Sequence, residues 1–383
     1  MRIAVVSGTF HPEPGGPPAF LYRLLPELVR RGHTVEVVTY GEADAPRDYP
    51  YRVTRISRRR PIPLRLPALA RAVLAAGRRA DIFLVSDYGL PVALANIFLR
   101  RPIVLKNVGD FAWEFSTRHG WIPHGQTIDQ FQTAPHSLRV RLLRRVRRWY
   151  TGAASVVVAP SHYSARLVVG WGIPAAKVKV IYNALDPVIS LPSHETAREQ
   201  LALGGGPVLL TVARLVPWKG IDGLIRALPV IRQQFPAARL VIVGDGPERA
   251  ALQAQAAPLG PAVQFTGALP PAQVWPHLRA ADVFVLFSTY EGLPHTVLEA
   301  MQAGTPVVVS DAGGNVEVVT GGETGWVAPA GDERALAAAI LEALSNPQLA
   351  AARAAAATIR LNRFSWLRLV DEYEAALSGV LKR

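Results

Sequence analysis

Glu291 and Glu299 stand eight positions apart within the stretch Leu286 to Gly314, LFSTYEGLPHTVLEAMQAGTPVVVSDAGG. Glu291 falls in a loop. Glu299 falls inside a helix that Pro294 opens and Gly304 closes, the usual start and stop pair. The amino end of that helix, around Leu293 to Val297, presents unpaired N–H groups and the positive end of the helix dipole between the two acids. Such a place suits an anion, for instance a pyrophosphate. Glu299 could then accept two hydroxyls of a ribose while Glu291 faces whatever the phosphate carries. Two acids at this spacing are, in isolation, more often solvated surface charges. The setting argues otherwise: an apolar strand, Val283 to Phe287, ends here and a second, Val307 to Ser310, follows the helix. Open α/β sheets bind ligands at the carboxyl ends of their strands.

A second constellation lies upstream. Val208 to Val212 reads as a strand that empties into Ala213-Arg214-Leu215-Val216-Pro217-Trp218-Lys219-Gly220-Ile221-Asp222. Arg214 and Lys219 flank the turn, and two cations at a strand end can clamp a diphosphate, Arg through its planar fork and Lys as a point charge. Either one alone would read as surface charge. Two further strands end in Gly244-Asp245-Gly246-Pro247-Glu248 and in Gly267-Ala268-Leu269-Pro270, both tight connections into helices. The chain has no cysteine, which excludes a disulfide framework and thiolate metal sites. It has no G-x-G-x-x-G, which argues against a dinucleotide dehydrogenase, and no D-x-D pair of the metal-diphosphate kind.

The pattern G-L-P-x-x-x-x-E-A-x-x-x-G-x-P-V-V, together with R-x4-K-G-x-D, resembles glycosyltransferase family 4, the retaining enzymes of GT-B fold. The likeness is dense over Leu286 to Gly314 and weaker, though continuous, through the first half. It implies an α/β chain of two Rossmann-like domains facing a central cleft, with a C-terminal helix crossing back to the N-terminal domain. It implies a hexosyltransferase-type enzyme that moves a sugar from a nucleoside diphosphate sugar to a hydroxyl acceptor with retention, without metal or other cofactor. The expected setting is cell-envelope polysaccharide or glycolipid synthesis, with a saccharide or lipid-linked saccharide as acceptor. Carried over by resemblance, Arg214 and Lys219 hold the donor diphosphate, Glu299 the ribose and Glu291 the donor sugar. Gly292, Leu293, His295 and Thr296 line the same site. Gly267 and Leu269 flank the base through their backbone, and Gly16, in the Gly15-Gly16 loop, approaches the donor phosphates. The first half departs from the family at one point. Many members carry a histidine at the end of the strand before the long loop, where this chain reads Asn107-Val108-Gly109-Asp110. Asp110 is the ionisable substitute, with Trp113 and Glu114 beside it, although it also reads as a cap for the next helix. Of His119, His124 and His136 on the following loop, His119 is the strongest acceptor-side candidate.

These residues must be positioned by two domains, since 383 residues exceed one ordinary core. The division expected is residues 1–187 with the helix 364–383, and residues 188–363. In the first, Ile3 to Ser7 is a buried strand, a helix runs from about Pro17 to Arg31, and Thr34 to Thr39 is the next strand. Strands follow at 53–57, 81–86, 102–107, 155–160 and 178–181, with helices at 66–77, 90–99 and 161–170. Ser116 to Ser137 lacks a period and reads as a functional loop holding one short helix. Ala335 to Ile359 reads as one Ala-rich helix.

The net charge is +13, from 42 basic against 29 acidic residues, and only five of the basic ones are lysine. A polyanionic partner is expected. The helix Arg139 to Tyr150 is the densest run, and with Trp149 and Tyr150 it reads either as a solvated basic face or as a patch for an anionic membrane surface. No nucleic-acid-binding module is present. Met1-Arg2 leads straight into a strand, and no apolar run approaches the roughly 20 residues that span a bilayer. The expectation is a cytoplasmic protein, peripheral on the inner face of the plasma membrane. Two other classes fit the residues: a GT-B nucleotide-sugar epimerase, which needs no acceptor, and a non-catalytic polyanion-binding relative.

Overall fold

The computed structural model describes the chain except Pro14, residues 43–47, Tyr88, His124, residues 186–189 and Arg383, so the expectation for His124 and the start of the interdomain linker lie outside the described residues. Two compact units are present. One runs from Met1 to Tyr182 and takes in the chain from Leu367 onward; the other is Asn183–Trp366.

The first unit holds β1 (Arg2–Ser7), β2 (Thr34–Tyr40), β3 (Arg52–Ile56), β4 (Ile82–Ser86), β5 (Ile103–Lys106), β6 (Val156–Ala159) and β7 (Val178–Val180). All pair in parallel, in the order β3-β2-β1-β4-β5-β6-β7. Central strands such as IAVV and IFLV are apolar without alternation because helices cover both faces of a parallel sheet. The helices are α1 (Gly16–Arg30), α2 (Ile62–Arg79), α3 (Gly89–Leu99), α4 (Phe111–Arg118), α5 (Ile128–Thr133), α6 (Leu138–Gly152) and α7 (His162–Gly170). The segment Ser116 to Ser137 carries one short helix, α5, as expected, after the last residues of α4, which starts before it at Phe111. Asp110 caps α4, accepting from the N–H groups of Ala112 and Trp113, and Thr127 with Gln130 forms a capping box on α5. Both helices are too short to show a hydrophobic period.

In the second unit, β8 (Val208–Val212), β9 (Arg239–Val243), β10 (Val263–Gly267), β11 (Val283–Leu286), β12 (Val307–Ser310) and β13 (Trp326–Ala328) form a parallel sheet in the order β10-β9-β8-β11-β12-β13. Its helices are α8 (His194–Gln200), α9 (Ile221–Gln234), α10 (Arg249–Ala256), α11 (Pro271–Ala280), α12 (His295–Gln302), α13 (Asn315–Val318), α14 (Glu333–Ser345) and α15 (Pro347–Arg360). The single helix expected from Ala335 to Ile359 is therefore two. Pro347 cannot continue a helix, and Asn346 leaves helical geometry at φ −127° and ψ 71° before Pro347 starts the next one. The core of this unit joins Leu224, Leu228 and Ile231 of α9 to Leu240 and Ile242 of β9, Val285 of β11 and Leu336 and Ile340 of α14, all buried.

The last helix, α16 (Trp366–Leu381), packs on the first unit. Arg31 bonds Glu374 and Asp371, each at 2.7 Å, and His33 lies 2.8 Å from Glu374. Tyr373, fully buried, packs its ring against Phe20 of α1, and its hydroxyl accepts from the Nζ of Lys106 at 3.3 Å. Lys106 itself is 5 % exposed, its ammonium 4.1 Å from the centre of the Phe20 ring, and burial pulls its pKa down to about 7. Among the described residues no helix is long and apolar enough to cross a membrane.

Candidate active site

Strand order in the second sheet reverses between β8 and β11, and the two constellations singled out by residue type emerge there. Arg214 and Lys219 lie on the loop after β8; Glu291 lies on the loop after β11. Loops leaving neighbouring strands on either side of such a reversal diverge and open a crevice at the sheet's carboxyl edge. The loops are joined where they leave the sheet. Thr289 donates its N–H to the carbonyl of Trp218 at 2.8 Å, and Gly220, at φ +63°, lies against the carbonyl of Phe287, where a Cβ would be 2.0 Å away. That approach brings the Nζ of Lys219 within 2.5 Å of Oε1 of Glu291, which is 7 % exposed.

Each charged side chain stands on a loop fixed from behind. The loop of Arg214 is held by the Gly244-to-Gly246 turn: Leu215 donates to the Asp245 carbonyl at 3.0 Å, and Glu248 donates to the Leu215 carbonyl at 3.1 Å. A Cβ on Gly246 would be 2.3 Å from the Leu215 oxygen, and one on Gly244 1.9 Å from the Ala213 oxygen. The turn that reads as a tight connection is thus also the support of Arg214. Glu291 is backed by Gly313 and Gly314. Gly314 donates to the Glu291 carbonyl at 2.8 Å, and a Cβ on Gly313 would be 2.2 Å from that same oxygen. Arg214 is exposed and has no ion-pair partner among the described residues.

The helix α12 begins one residue later than its proline suggests. Pro294 is the cap, with extended ψ, and His295 is the first helical residue, exposed at the amino end beside half-buried Thr296. Leu293 is buried beneath that end, and Gly292 leads into it. One turn further along, the Glu299 carboxyl has no hydrogen-bond or ion-pair partner among the described residues. Burial alone pushes its pKa up to about 7. Even a half-buried acid without a partner is held at a cost unless something else satisfies it. Gly267 closes β10 at φ +79° and accepts from the Gly244 N–H at 2.9 Å, with Leu269 half-buried two residues on. Arg214, Lys219, Glu291, Gly292, Leu293, His295, Thr296, Glu299, Gly267 and Leu269 therefore all lie on the carboxyl-end rim of one sheet.

In the first unit the second reading of Asp110, as a helix cap, is the one the structure shows. Asp110 is 1 % exposed and fully engaged: besides capping α4 it accepts from Gln132 Nε2 at 3.0 Å and pairs with Arg147, itself 2 % exposed. Its carboxylate knits α4, α5 and α6 together. Trp113 is buried and donates to the Gln126 carbonyl at 3.1 Å, so it too is interior. Glu114 is half-buried on α4, and His119 is exposed, stacked on Phe115 at 4.0 Å with its Nδ1 on the Phe115 carbonyl. His136 bonds the Phe131 carbonyl. Gly16 is the exposed first residue of α1, on the loop leaving β1, the strand beside the reversal in the first sheet. That loop carries residues the sequence did not single out. His11 stacks on Tyr22 at 4.0 Å and meets the Tyr49 hydroxyl at 3.0 Å, while Arg55 bonds the His11 carbonyl at 2.9 Å. Aromatic residues scattered over three elements give no local pattern.

Two family models match in succession, Glycosyltransferase Family 4 over residues 14–188 and Glycosyl transferases group 1 over residues 193–360. The amylovoran biosynthesis glycosyltransferase AmsK of Erwinia amylovora is 31% identical over 323 residues, covering 79% of this chain and 73% of that one. The chain belongs to glycosyltransferase family 4. The GDP-mannose-dependent alpha-(1-6)-phosphatidylinositol monomannoside mannosyltransferase of Mycolicibacterium smegmatis is 35% identical over 240 residues, 59% of this chain and 63% of that protein, so the match spans somewhat less than two thirds of that relative. The structure of Anabaena Alr3699/HepE in complex with UDP and glucose superposes with a TM-score of 0.79 at 25% identity, over 99% of this chain and 100% of that one. The fold is thus the GT-B pair of Rossmann-like sheets. Both pairs of charged residues read from the sequence lie at the carboxyl edge of the second sheet.

Proposed function

We propose that this chain transfers a sugar from a nucleoside diphosphate sugar to a hydroxyl of a saccharide or lipid-linked saccharide, with retention and without a metal ion. The observation that carries the donor reading is Glu299: a half-buried carboxylate without a partner among the described residues, one turn inside the helix that follows Glu291. Two vicinal ribose hydroxyls would supply the missing partners. Arg214, Lys219 and the amino end of α12 would then take the diphosphate. Their combined positive charge would stabilise the leaving nucleoside diphosphate, the work a metal does elsewhere. Glu291 would orient the sugar and face positive charge developing at its anomeric carbon. Gly267 and Leu269 would meet the base through their backbone. A uridine donor and a guanosine donor are the first to test, because the Anabaena structure holds UDP and the mycobacterial relative uses GDP-mannose. Synthesis of an envelope polysaccharide or glycolipid at the cytoplasmic face of a membrane, reached through the basic Arg139–Arg148 helix, is the setting that fits the charge.

A thermal-shift panel of nucleoside diphosphates and their sugars, in chelator, tests this reading on wild type and Glu299→Ala. Ligand that binds only the folded chain raises its melting temperature. A shift with one base series that the variant loses supports the donor site. Silence across the panel points instead to the non-catalytic polyanion-binding class. Conversion of the donor's sugar without any acceptor would point to the epimerase class.

A further inference from the structure

Three helices of the first unit that pack side by side, α2, α3 and α6, contain no aspartate or glutamate. α3 packs between the other two. Gly77 of α2 admits Leu99 of α3, where a Cβ would be 2.5 Å from its Cδ1, and Gly89 of α3 admits the Tyr150 ring of α6, where a Cβ would be 2.6 Å away. The outward side of α3 is wholly apolar. Leu94 is 50% exposed, Ile97 57% and Phe98 81%, on a helix without a single charged residue. Beside it, α6 turns Leu138 and Leu142 outward, 79% and 61% exposed, at the same helical spacing as Arg145 and half-exposed Trp149. The flanks are cationic. Arg71 and Arg78 of α2, and Arg141, Arg145 and Arg148 of α6, are exposed and have no carboxylate partner among the described residues.

An exposed ridge of this size on a helix is not maintained by folding, since each side chain would be cheaper as a polar one. We propose that α3 inserts its apolar ridge into the acyl boundary of an anionic lipid bilayer while arginines of α2 and α6 take the headgroups. The bilayer is preferred over a second copy of the chain on charge. Two such faces brought together would set arginines against arginines with no acid on any of the three helices to offset them. An anionic bilayer satisfies both components at once: apolar side chains sink to the headgroup–acyl boundary, and arginine stems lie along it with their heads in the phosphate layer. This goes beyond the basic-helix contact of the functional proposal, on which it rests, because it adds a component that salt does not screen.

Sedimentation with vesicles of phosphatidylcholine containing half phosphatidylglycerol, compared with phosphatidylcholine alone, separates the possibilities. Wild type is expected to bind the anionic vesicles and to retain part of that binding at about 0.5 M salt, where exposed charges are largely screened. The double variant Ile97→Gln/Phe98→Gln is expected to bind at least tenfold more weakly and to lose the salt-resistant part, with its melting temperature and nucleotide shift intact. Binding that salt abolishes completely, with the α3 variant equal to wild type, overturns insertion and leaves only the basic-helix contact. Absence of wild-type binding to anionic vesicles overturns both. A concentration-dependent dimer that the variant abolishes, without vesicle binding, assigns the face to a second copy and overturns the proposal.

Discussion

The ammonium of Lys219 sits 2.5 Å from a carboxylate oxygen of Glu291, although the two residues leave different strands of the sheet. The pair closes over the point where the strand order turns back, and it is held there by a glycine and a backbone bond between the loops. Without ligand each is the other's counter-ion. A diphosphate arriving at the helix start would offer Lys219 a second anion and release part of the hold on Glu291.

Removing either cation should therefore cost turnover more than stability. Lys219→Ala and Arg214→Ala are each expected to lower kcat by about 10²-fold or more, as for other groups that meet developing charge. The melting temperature should change little in Arg214→Ala and fall in Lys219→Ala, which leaves the Glu291 carboxylate without its counter-ion. Steady-state kinetics with a radiolabelled donor checks this, and near-wild-type turnover in both variants would remove the diphosphate assignment.

Glu299 makes donor binding pH-dependent. Its free carboxyl is raised to about 7 by burial, and ribose hydroxyls donate best to the ionised form. Binding should thus lower that pKa and release a proton near neutrality. Affinity is expected to rise as pH climbs from 6 to 8 and then level, a dependence that Glu299→Gln abolishes. Calorimetry in buffers of different ionisation enthalpy reads the proton directly. The folding linkage has the opposite sense: a raised acid favours the fold fully below its unfolded pKa, and that advantage fades as pH rises through about 7. Glu299→Gln should accordingly gain stability relative to wild type at pH 8 and not at pH 4.

Gly246→Ala tests whether the turn after β9 acts through Arg214. The added methyl would meet the Leu215 carbonyl at 2.3 Å, so the Arg214 loop must move. Displacements on the order of 1 Å at a reacting site can cost 10²-fold. The variant is expected to lose activity in an otherwise wild-type chain and to lose almost nothing further when Arg214 is already alanine. Additive losses in the double variant would make the glycine's role general.

Asp110 should behave as a structural residue. Asp110→Ala leaves Arg147 buried without its counter-ion, a change that costs about 3–5 kcal/mol. A chemical role predicts the reverse pattern, with Asp110→Asn folding normally and turning over negligibly. Denaturant unfolding beside kcat distinguishes the two.

How much of this was legible beforehand follows from where each signal resides. Arg214, Lys219, Glu291 and Glu299 lie within short windows that also contain the strand, the turn glycine and the helix start, so local sequence carried their placement. Asp110 did not, because its decisive partner is Arg147 on another helix, and a sequence shows the cap without the ion pair. Pro347 is the reverse case: the break between α14 and α15 was written in one residue and masked by the alanine run around it. The apolar outer side of α3 was unreadable for a different reason. A helix with no charges looks buried from its composition, and only the packing of its neighbours reveals which side is left uncovered.

The seating of α16 on the first unit also sets a timetable. Tyr373, Glu374 and Asp371 cover Phe20, Arg31 and Lys106, residues made more than two hundred positions earlier. A ribosome delivers the whole second sheet in between. Throughout that interval the first sheet waits with one helix missing and a lysine side chain open to water where an aromatic ring will later lie. Completion of the earlier half is thus tied to the arrival of the later one. A chain stopped after α15 would be expected to emerge as a folded second unit joined to a loosened first one.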